Sequence, residues 1–192
     1  MTIQEIYQRI TSLDRKGMTT LVGIDGCGGS GKTTLATELG VLDKGISVVH
    51  MDDFDLPTNG KLIGSPFEKP VGADVDWQRL ERQVLIPLSR NNAARYNRAG
   101  HPGLDKVSPG GIVLIEGVFS IRNEISSYYH LTIWIECAKE IRLRRGLARD
   151  GEQARDRWEK DWIPMEERYM SVQEPQRKAT VVIDGSGDFT KA

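Results

Sequence analysis

The chain has little of the chemistry that marks secreted, membrane or nucleic-acid-binding proteins. Its 192 residues include two cysteines, Cys27 and Cys137, too few for a disulfide framework and without zinc-ligand spacing. No apolar run approaches the length of a membrane span, and residues 1–16 lack the apolar core of a signal peptide. The formal net charge of −1 gives no global attraction to nucleic acid or to a membrane surface. We therefore expect a cytoplasmic protein that binds neither.

Internal repeats, low-complexity tracts and domain linkers are also missing from the sequence. With 39% hydrophobic residues, a chain of this length is expected to form one domain, over residues 1–192, with a substantial core. The sequence is compatible with a homo-oligomer but does not determine the oligomeric state.

The most informative stretch is Gly26-Cys27-Gly28-Gly29-Ser30-Gly31-Lys32-Thr33, which has the spacing of a phosphate-binding loop. An apolar run at 21–25 precedes it and a helical pattern at 34–39 follows, which is the context such a loop requires. Glycines let successive N–H groups face one concavity, and the helix dipole adds positive potential there. Lys32 would reach the terminal phosphates of a nucleoside triphosphate, and the Thr33 hydroxyl would bind Mg²⁺. The predicted ATP- and phosphate-binding residues are Gly26, Gly28, Gly29, Ser30, Gly31, Lys32, Thr33 and Thr34.

Apolar strands alternate with helical patterns along the rest of the chain. Strands are predicted at 18–25, 46–51, 93–98, 112–115, 131–135 and 180–183. Helices are predicted from residue 3 until Gly17, up to about Leu42, from Asp76 to a break or kink at Pro87, and at about 139–149 and 154–172. This alternation predicts an α/β fold, a doubly wound parallel β-sheet flanked by helices. The intervening residues 54–75 are predicted to form a substrate lid or binding arm, because loops of this length are usually functional.

Carboxylates follow two of the predicted strands, at the sheet edge where ligands gather in such folds. Asp52 and Asp53 come after the second strand, and Glu116 ends the strand at 112–115. Side chains of this type can bind Mg²⁺ or take the proton from an attacking hydroxyl. Asp52 is the preferred catalytic base, with Asp53 as the alternative. Both aspartates, and Glu116, could instead be turn residues.

Three arginines, Arg142, Arg145 and Arg149, fall on one stripe of the helix predicted at 139–149. Arginine suits the neutralisation of a migrating phosphoryl group. A solvated basic face would show the same spacing, so the spacing alone does not decide between these interpretations.

Together these segments resemble the uridine kinase and phosphoribulokinase branch of the P-loop kinases, over about residues 20–185. The matching segments are the phosphate loop, Met51-Asp52-Asp53-Phe54, Pro109 to Phe119, the arginine-bearing lid helix from Ile141 to Asp150, and Trp158 to Glu167 followed by Ala179 to Ile183. The resemblance implies a P-loop NTPase fold with a short helical lid, and transfer of the γ-phosphoryl group of ATP to a hydroxyl of a small acceptor. It further implies that Asp52 is the base and that Thr33, Asp52 and Glu116 surround Mg²⁺. Lys32, Arg145 and Arg149 would then act on the transferring group.

The resemblance also suggests the acceptor. Tyr96 and His101 have the spacing of the tyrosine and histidine that hold the pyrimidine in uridine kinases, which implies uridine or cytidine. Asp53, Asp76 and Arg142 are further candidates for substrate binding.

The sequence departs from the uridine kinase pattern in the predicted acceptor pocket. Asp55 stands where uridine kinases carry a tyrosine, and Asn97 follows Tyr96 where an aspartate is common. Asp74 and Asp76 are both candidates for the acidic ribose-binding position. Pantothenate, glycerate and sugar-type acceptors therefore remain alternatives, as does a regulatory P-loop ATPase.

Overall fold

The computed structural model describes residues 1–13 and 16–187. Its central sheet has five parallel strands. These are β1 (Thr20–Asp25), β2 (Ser47–His50), β5 (Ile112–Glu116), β6 (Leu131–Glu136) and β7 (Val181–Asp184), while β3 (Ala94–Tyr96) and β4 (Asp105–Val107) form a separate antiparallel hairpin. The spatial order of the central sheet is β2-β5-β1-β6-β7. This architecture confirms the predicted α/β fold.

The helices lie on both faces of the sheet and beside the hairpin. They are α1 (Ile3–Thr11), α2 (Lys32–Leu42), α3 (Trp77–Leu80), α4 (Ile86–Ser89), α5 (Lys139–Asp150), α6 (Arg155–Arg157), α7 (Ile163–Gln173) and α8 (Pro175–Lys178). Two π-helical turns occupy Glu81–Leu85 and Trp158–Trp162, and 3₁₀ turns occupy Met51–Phe54, Thr58–Gly60, Ser126–Tyr128 and Glu152–Ala154.

The strands contribute alternate side chains to two separate cores, as expected for a sheet covered on both faces. In β5, Val113 and Ile115 join the core that includes the hairpin and α3, whereas Leu114 joins the core that includes α1 and α2. In β6, Trp134 joins the first core and Ile133 the second. The long apolar runs of the sequence therefore reflect burial on both faces.

The first helix begins as predicted but ends earlier. Thr2 and Glu5 form a reciprocal capping box, with N···O distances of 2.8 and 3.2 Å. The helix ends at Thr11, so the prediction that Gly17 ends it was wrong. Ser12 is the C-cap residue: its backbone N–H donates to the carbonyl oxygen of Gln8, and its side-chain hydroxyl donates to that of Arg9.

Each π-helical turn ends two residues before a proline. The N–H of Ile86 donates to the carbonyl of Glu81, and the N–H of Ile163 donates to that of Trp158, so both bonds span five residues. Pro87 and Pro164 follow immediately, and a proline lacks an N–H and crowds the carbonyl four residues earlier. A widened turn relieves that crowding, and both helices continue past their prolines, so Pro87 does not end the helix that was predicted to begin at Asp76.

The region between residues 97 and 111 holds a strand that the periodicity did not indicate. β4 pairs with β3 in the order Ala94 to Val107, Arg95 to Lys106 and Tyr96 to Asp105. Three residues with one buried position are too short for a clear alternation, so only the pairing partner identifies the strand.

In the described part of the chain, no helix is both long enough and apolar enough to span a bilayer.

Candidate active site

A cavity of about 950 Å³ opens where β1, β2 and β5 end. From the phosphate loop it is lined by Gly28, Gly29, Gly31, Lys32, Thr33 and Thr34. From the segment after β2, and from β5 and its following loop, it is lined by Asp52, Asp55, Lys61, Asp74, Val75, Glu116, Gly117, Val118 and Phe119. The remaining lining residues are Arg145, Gly146, Arg149, Trp158, Trp162, Met165, Glu166, Ser186 and Gly187.

The phosphate loop has a backbone that only glycine adopts readily. Gly29 and Gly31 have φ values of +76° and +105°, and Gly31 caps the N-terminus of α2. At Gly26 a Cβ atom would lie 2.7 Å from the carbonyl oxygen of Ile135, so the loop also needs a close backbone approach there. The Lys32 ammonium group donates to the carbonyl oxygen of Cys27 at 2.9 Å and borders the cavity. A positive charge and a helix N-terminus thus meet at one end of the cavity.

A buried carboxylate connects the end of β1 to the loop after β5. Asp25 accepts hydrogen bonds from the backbone N–H groups of Gly26, Phe119 and Ile121 at 2.7, 3.2 and 3.0 Å, and from the Tyr169 hydroxyl at 2.8 Å. Its side chain is fully buried. Asp25 therefore fixes the position of the end of β1, where the phosphate loop begins.

Two of the three predicted metal ligands touch each other. The Thr33 hydroxyl donates to Oε1 of Glu116 at 3.1 Å, and the same oxygen lies 2.6 Å from Nδ1 of His50. The hydrogen bond to Glu116 is the main cause of the raised pKa of His50. Asp52, the third predicted ligand, borders the same cavity. Within the described ranges no group of three or more His, Cys, Asp and Glu side chains is arranged to hold a metal ion.

Asp52 and Asp53, which follow β2, have side chains in different environments. Asp52 borders the cavity, and its carboxylate accepts no hydrogen bond from residues 1–13 or 16–187. Asp53 does not border the cavity: its carboxylate accepts from the Tyr96 hydroxyl at 3.3 Å, and its backbone carbonyl accepts from Arg79 and Ala99. This arrangement favours Asp52 over Asp53 as the catalytic base.

The three predicted arginines have three different environments. Arg142 is buried and pairs with Glu166 at 2.8 Å, outside the cavity lining. Arg145 borders the cavity, where its guanidinium donates to the carbonyls of Gly29 and of residues 185–187. Arg149 borders the cavity with its side chain 67% exposed, and pairs with the adjacent Asp150. Arg149 is thus the arginine of the three with the most freedom to move towards a phosphate.

Three predicted acceptor residues lie away from the cavity. Tyr96 is buried and stacks on Phe54 with ring centroids 5.2 Å apart. His101 is exposed in the loop between β3 and β4. Asp76 caps α3 by accepting from the backbone N–H of Arg79 at 2.9 Å. The structure therefore does not bring these side chains together with the phosphate loop.

Other carboxylates occupy the cavity instead. Asp55 and Asp74 border it together with Lys61, which lies 3.8 Å from Asp55. Burial, and secondarily the charges of Asp52 and Asp74, raise the pKa of Asp55. In the sequence, Asp55 stands out only as a departure from the uridine kinase pattern, and Asp74 only as one of two candidates for the ribose-binding position. The isolated bridge between Asp55 and Val75, which draws the two ends of the long loop together, has no local sequence signal.

Glu166 is a site residue that sequence reasoning missed. It is buried on α7, borders the cavity, and accepts a hydrogen bond from the N–H of Gly28 at 2.7 Å. Burial raises its pKa, against the lowering effects of Gly28 and Arg142. One signal was available: Glu166 occupies the same helical stripe as the apolar Ile163 and Tyr169, at a spacing of three.

No protein-family model matches the chain, but single proteins do. A uridine kinase from Deinococcus deserti is 28% identical over 144 residues, which are 69% of this chain and 69% of that enzyme. A solved structure of a uridine kinase candidate from Bacillus stearothermophilus superposes with a TM-score of 0.72 at 23% identity, covering 95% of this chain and 97% of the other. A candidate fructose transport system kinase from Silicibacter sp. TM1040 superposes with a TM-score of 0.75 at 20% identity, covering 95% and 99%. The structural likeness shows a shared fold, and the sequence relative carries the resemblance to an enzyme class.

Proposed function

We propose that this chain, a uridine kinase-like P-loop kinase that transfers a phosphoryl group to a hydroxyl, acts on uridine or cytidine. One observation carries the phosphoryl-transfer part of the proposal: the phosphate loop and the Asp52 side chain line the same cavity. The uridine kinase relative from Deinococcus deserti supports the choice of a pyrimidine nucleoside as acceptor. Asp55 and Asp74 extend the same cavity with acceptors for further hydroxyl groups. A cytoplasmic location, where ATP and nucleosides are both available, is part of the proposal.

In the proposed reaction Asp52 accepts the proton of the acceptor hydroxyl as its oxygen attacks the γ-phosphorus of ATP. The bond between that phosphorus and the β–γ bridging oxygen breaks, and ADP leaves. Lys32 and the loop N–H groups other than that of Gly28, which donates to Glu166, hold the phosphates, and Arg149 swings onto the transferring group. Arg145, held by four backbone carbonyls, stays at the nucleotide end of the cavity.

Thr33, Asp52 and Glu116 are the residues that would hold Mg²⁺. One hydroxyl and two carboxylates suit this ion, which is bound by a few protein oxygens together with water and substrate phosphates. When bound, Mg²⁺ neutralises charge on the β- and γ-phosphates. Because His50 contacts the same oxygen of Glu116 as Thr33 does, it orients that carboxylate towards the loop.

A neutral sugar is the second candidate acceptor. Tyr96 and His101, which the uridine kinase resemblance assigns to the pyrimidine, do not border the cavity, whereas Asp55 and Asp74 do. A cavity that offers Asp55 and Asp74 but neither Tyr96 nor His101 would suit a ring that carries several hydroxyls and no base.

A turnover screen with MgATP tests the two acceptors directly. Uridine, cytidine, other nucleosides, neutral sugars, glycerate and pantothenate are each incubated with the enzyme, and the product mass is determined. A phosphorylated uridine or cytidine supports the first proposal, and a phosphorylated sugar with unreactive nucleosides replaces it with the second. Turnover confined to glycerate or pantothenate contradicts both.

Replacing Asp74 by asparagine is expected to raise the KM of the acceptor about 10- to 100-fold with little change in the KM of ATP. A hydrogen bond to a carboxylate contributes about 1.5–3 kcal/mol, and each 1.4 kcal/mol is tenfold in affinity. Steady-state kinetics with each substrate varied in turn measures the effect. Asp105→Asn, which removes a carboxylate paired with Arg98 in the hairpin, is the matched control. Equal effects of the two substitutions would contradict the role of Asp74.

A further inference from the structure

Glu166 is a buried carboxylate that the proposed reaction does not use. Its Oε1 atom accepts from the N–H of Gly28 at 2.7 Å, and its Oε2 atom accepts from the Arg142 guanidinium at 2.8 Å. A buried charge is costly unless it is paired and hydrogen-bonded, and here both oxygens are engaged. One side chain of α7 therefore holds both the phosphate loop and α5.

Arg142 is linked to the phosphate loop through its side chain and through its backbone. Its guanidinium donates to Glu166, which in turn binds the loop, and its Nε atom is held by the carbonyl oxygen of Cys137 at 3.1 Å, just after β6. Its backbone packs directly on Gly29, where an added Cβ atom would lie 2.6 Å from the Arg142 carbonyl oxygen. The loop thus rests on the first turn of α5, and Glu166 fastens that contact.

The Gly28 contact fixes the part of the loop that is most flexible by composition. Gly28 and Gly29 are adjacent glycines, and Gly29 has a φ of +76°. Such a segment samples many backbone conformations when nothing restrains it. Glu166 accepts a hydrogen bond from the N–H of Gly28. The ring of Trp158 covers the same glycine and would lie 2.9 Å from a Cβ atom added to Gly28.

We propose that Glu166 is a positioning residue for nucleotide binding, which keeps the phosphate loop in its binding-competent conformation by joining Gly28 to Arg142. The apparent Kd of a ligand rises as the competent fraction of the protein falls. Loss of the Glu166 contacts therefore raises the Kd of ADP and the Kd of ATP by the same factor. Binding of the acceptor, which faces other walls of the cavity, is unaffected.

The test is the Kd of MgADP, measured by isothermal titration calorimetry on the full chain. Glu166→Gln is expected to raise this Kd about tenfold, within the range common for coupling between sites. Glu166→Asp keeps the charge that Arg142 requires but is one methylene shorter, so it cannot span both partners and is expected to raise the Kd as well. The control is Glu167→Gln, which removes the neighbouring, exposed ion pair between α7 and Lys139 of α5, and should leave the Kd unchanged.

Two results would overturn the proposal. If both Glu166 variants have a lower Tm but a Kd for MgADP within twofold of the unmodified chain, the residue serves stability alone. If the Kd of MgATP rises and the Kd of MgADP does not, Glu166 acts on the γ-phosphate and does not position the loop. The measurement needs no acceptor, so it can fail or succeed independently of the uridine or sugar assignment.

Discussion

Replacing Asp52 by asparagine is expected to lower kcat by about 10²- to 10⁴-fold, the usual contribution of a general base. Asparagine keeps the shape of the side chain but cannot take up the proton of the acceptor hydroxyl. Because Asp52 accepts no hydrogen bond in the described chain, its loss leaves no buried donor without a partner. Folding should therefore survive, and MgADP binding should weaken far less than kcat falls, because Thr33, Glu116 and the phosphate loop remain to hold the metal ion and the phosphates. Single-turnover kinetics with MgATP and the acceptor, alongside MgADP titration, measures the two effects separately.

Asp53→Asn is the matched control for this prediction. It changes an adjacent residue in the same turn, but one whose carboxylate contacts Tyr96 outside the cavity. A large loss of kcat in Asp53→Asn, with normal turnover in Asp52→Asn, would assign the proton transfer to Asp53. Full activity in both variants would remove carboxylate base catalysis at the end of β2 from the mechanism.

Replacing Asp25 by alanine is expected to prevent folding. The substitution leaves three backbone N–H groups and the Tyr169 hydroxyl buried without their acceptor. Each buried donor without a partner costs about 1–3 kcal/mol, and whole domains have only about 5–15 kcal/mol of stability. Asp25→Asn, which keeps one acceptor oxygen, should fold with a loss of about 2–4 kcal/mol. Urea unfolding followed by circular dichroism gives these free energies.

The pH dependence of unfolding provides a second test of Asp25. Burial raises the pKa of its carboxyl to about 6, although its hydrogen-bond donors and Lys32 lower it. A raised pKa in the folded state means that the contribution of the group is complete below pH 4 and is lost as pH rises through about 6. The free energy difference between the unmodified chain and Asp25→Asn should therefore narrow between pH 4 and pH 7. A difference in the free energy of unfolding that stays constant over this range would contradict the raised pKa of Asp25. Asp184→Asn, at the exposed end of β7, is the control.

Sequence reasoning succeeded where the signal is local. The five strands of the central sheet and the phosphate loop follow from short apolar runs and from glycine spacing, and both are present as expected. The resemblance to uridine kinases is likewise supported by a sequence relative. The assignment of individual site residues stays a prediction, because it depends on contacts between distant segments.

Glu166 and Arg142 illustrate why distant contacts escape prediction. Gly28 and Glu166 are 138 residues apart, and no spacing rule relates them. Arg142 shares its helical stripe with Arg145 and Arg149, yet only packing decides that it turns inward and is 3% exposed. Asp55 and Asp74 line the same cavity, and the bridge between Asp55 and Val75 closes the loop between them. Binary patterning contains none of this information.

The π-helical turn at Trp158–Trp162 has a consequence for how this region can vary in length. Such a turn is equivalent to one residue inserted into an α-helix, and each residue of an α-helix turns the chain by about 100°. Deleting one residue there would rotate Trp158 away from Gly28 and Gly146, which its ring covers, while Glu166 stayed in place. Relatives that keep both the Trp158 contacts and the Glu166 contacts with the phosphate loop should therefore also keep the extra residue of the π-helical turn.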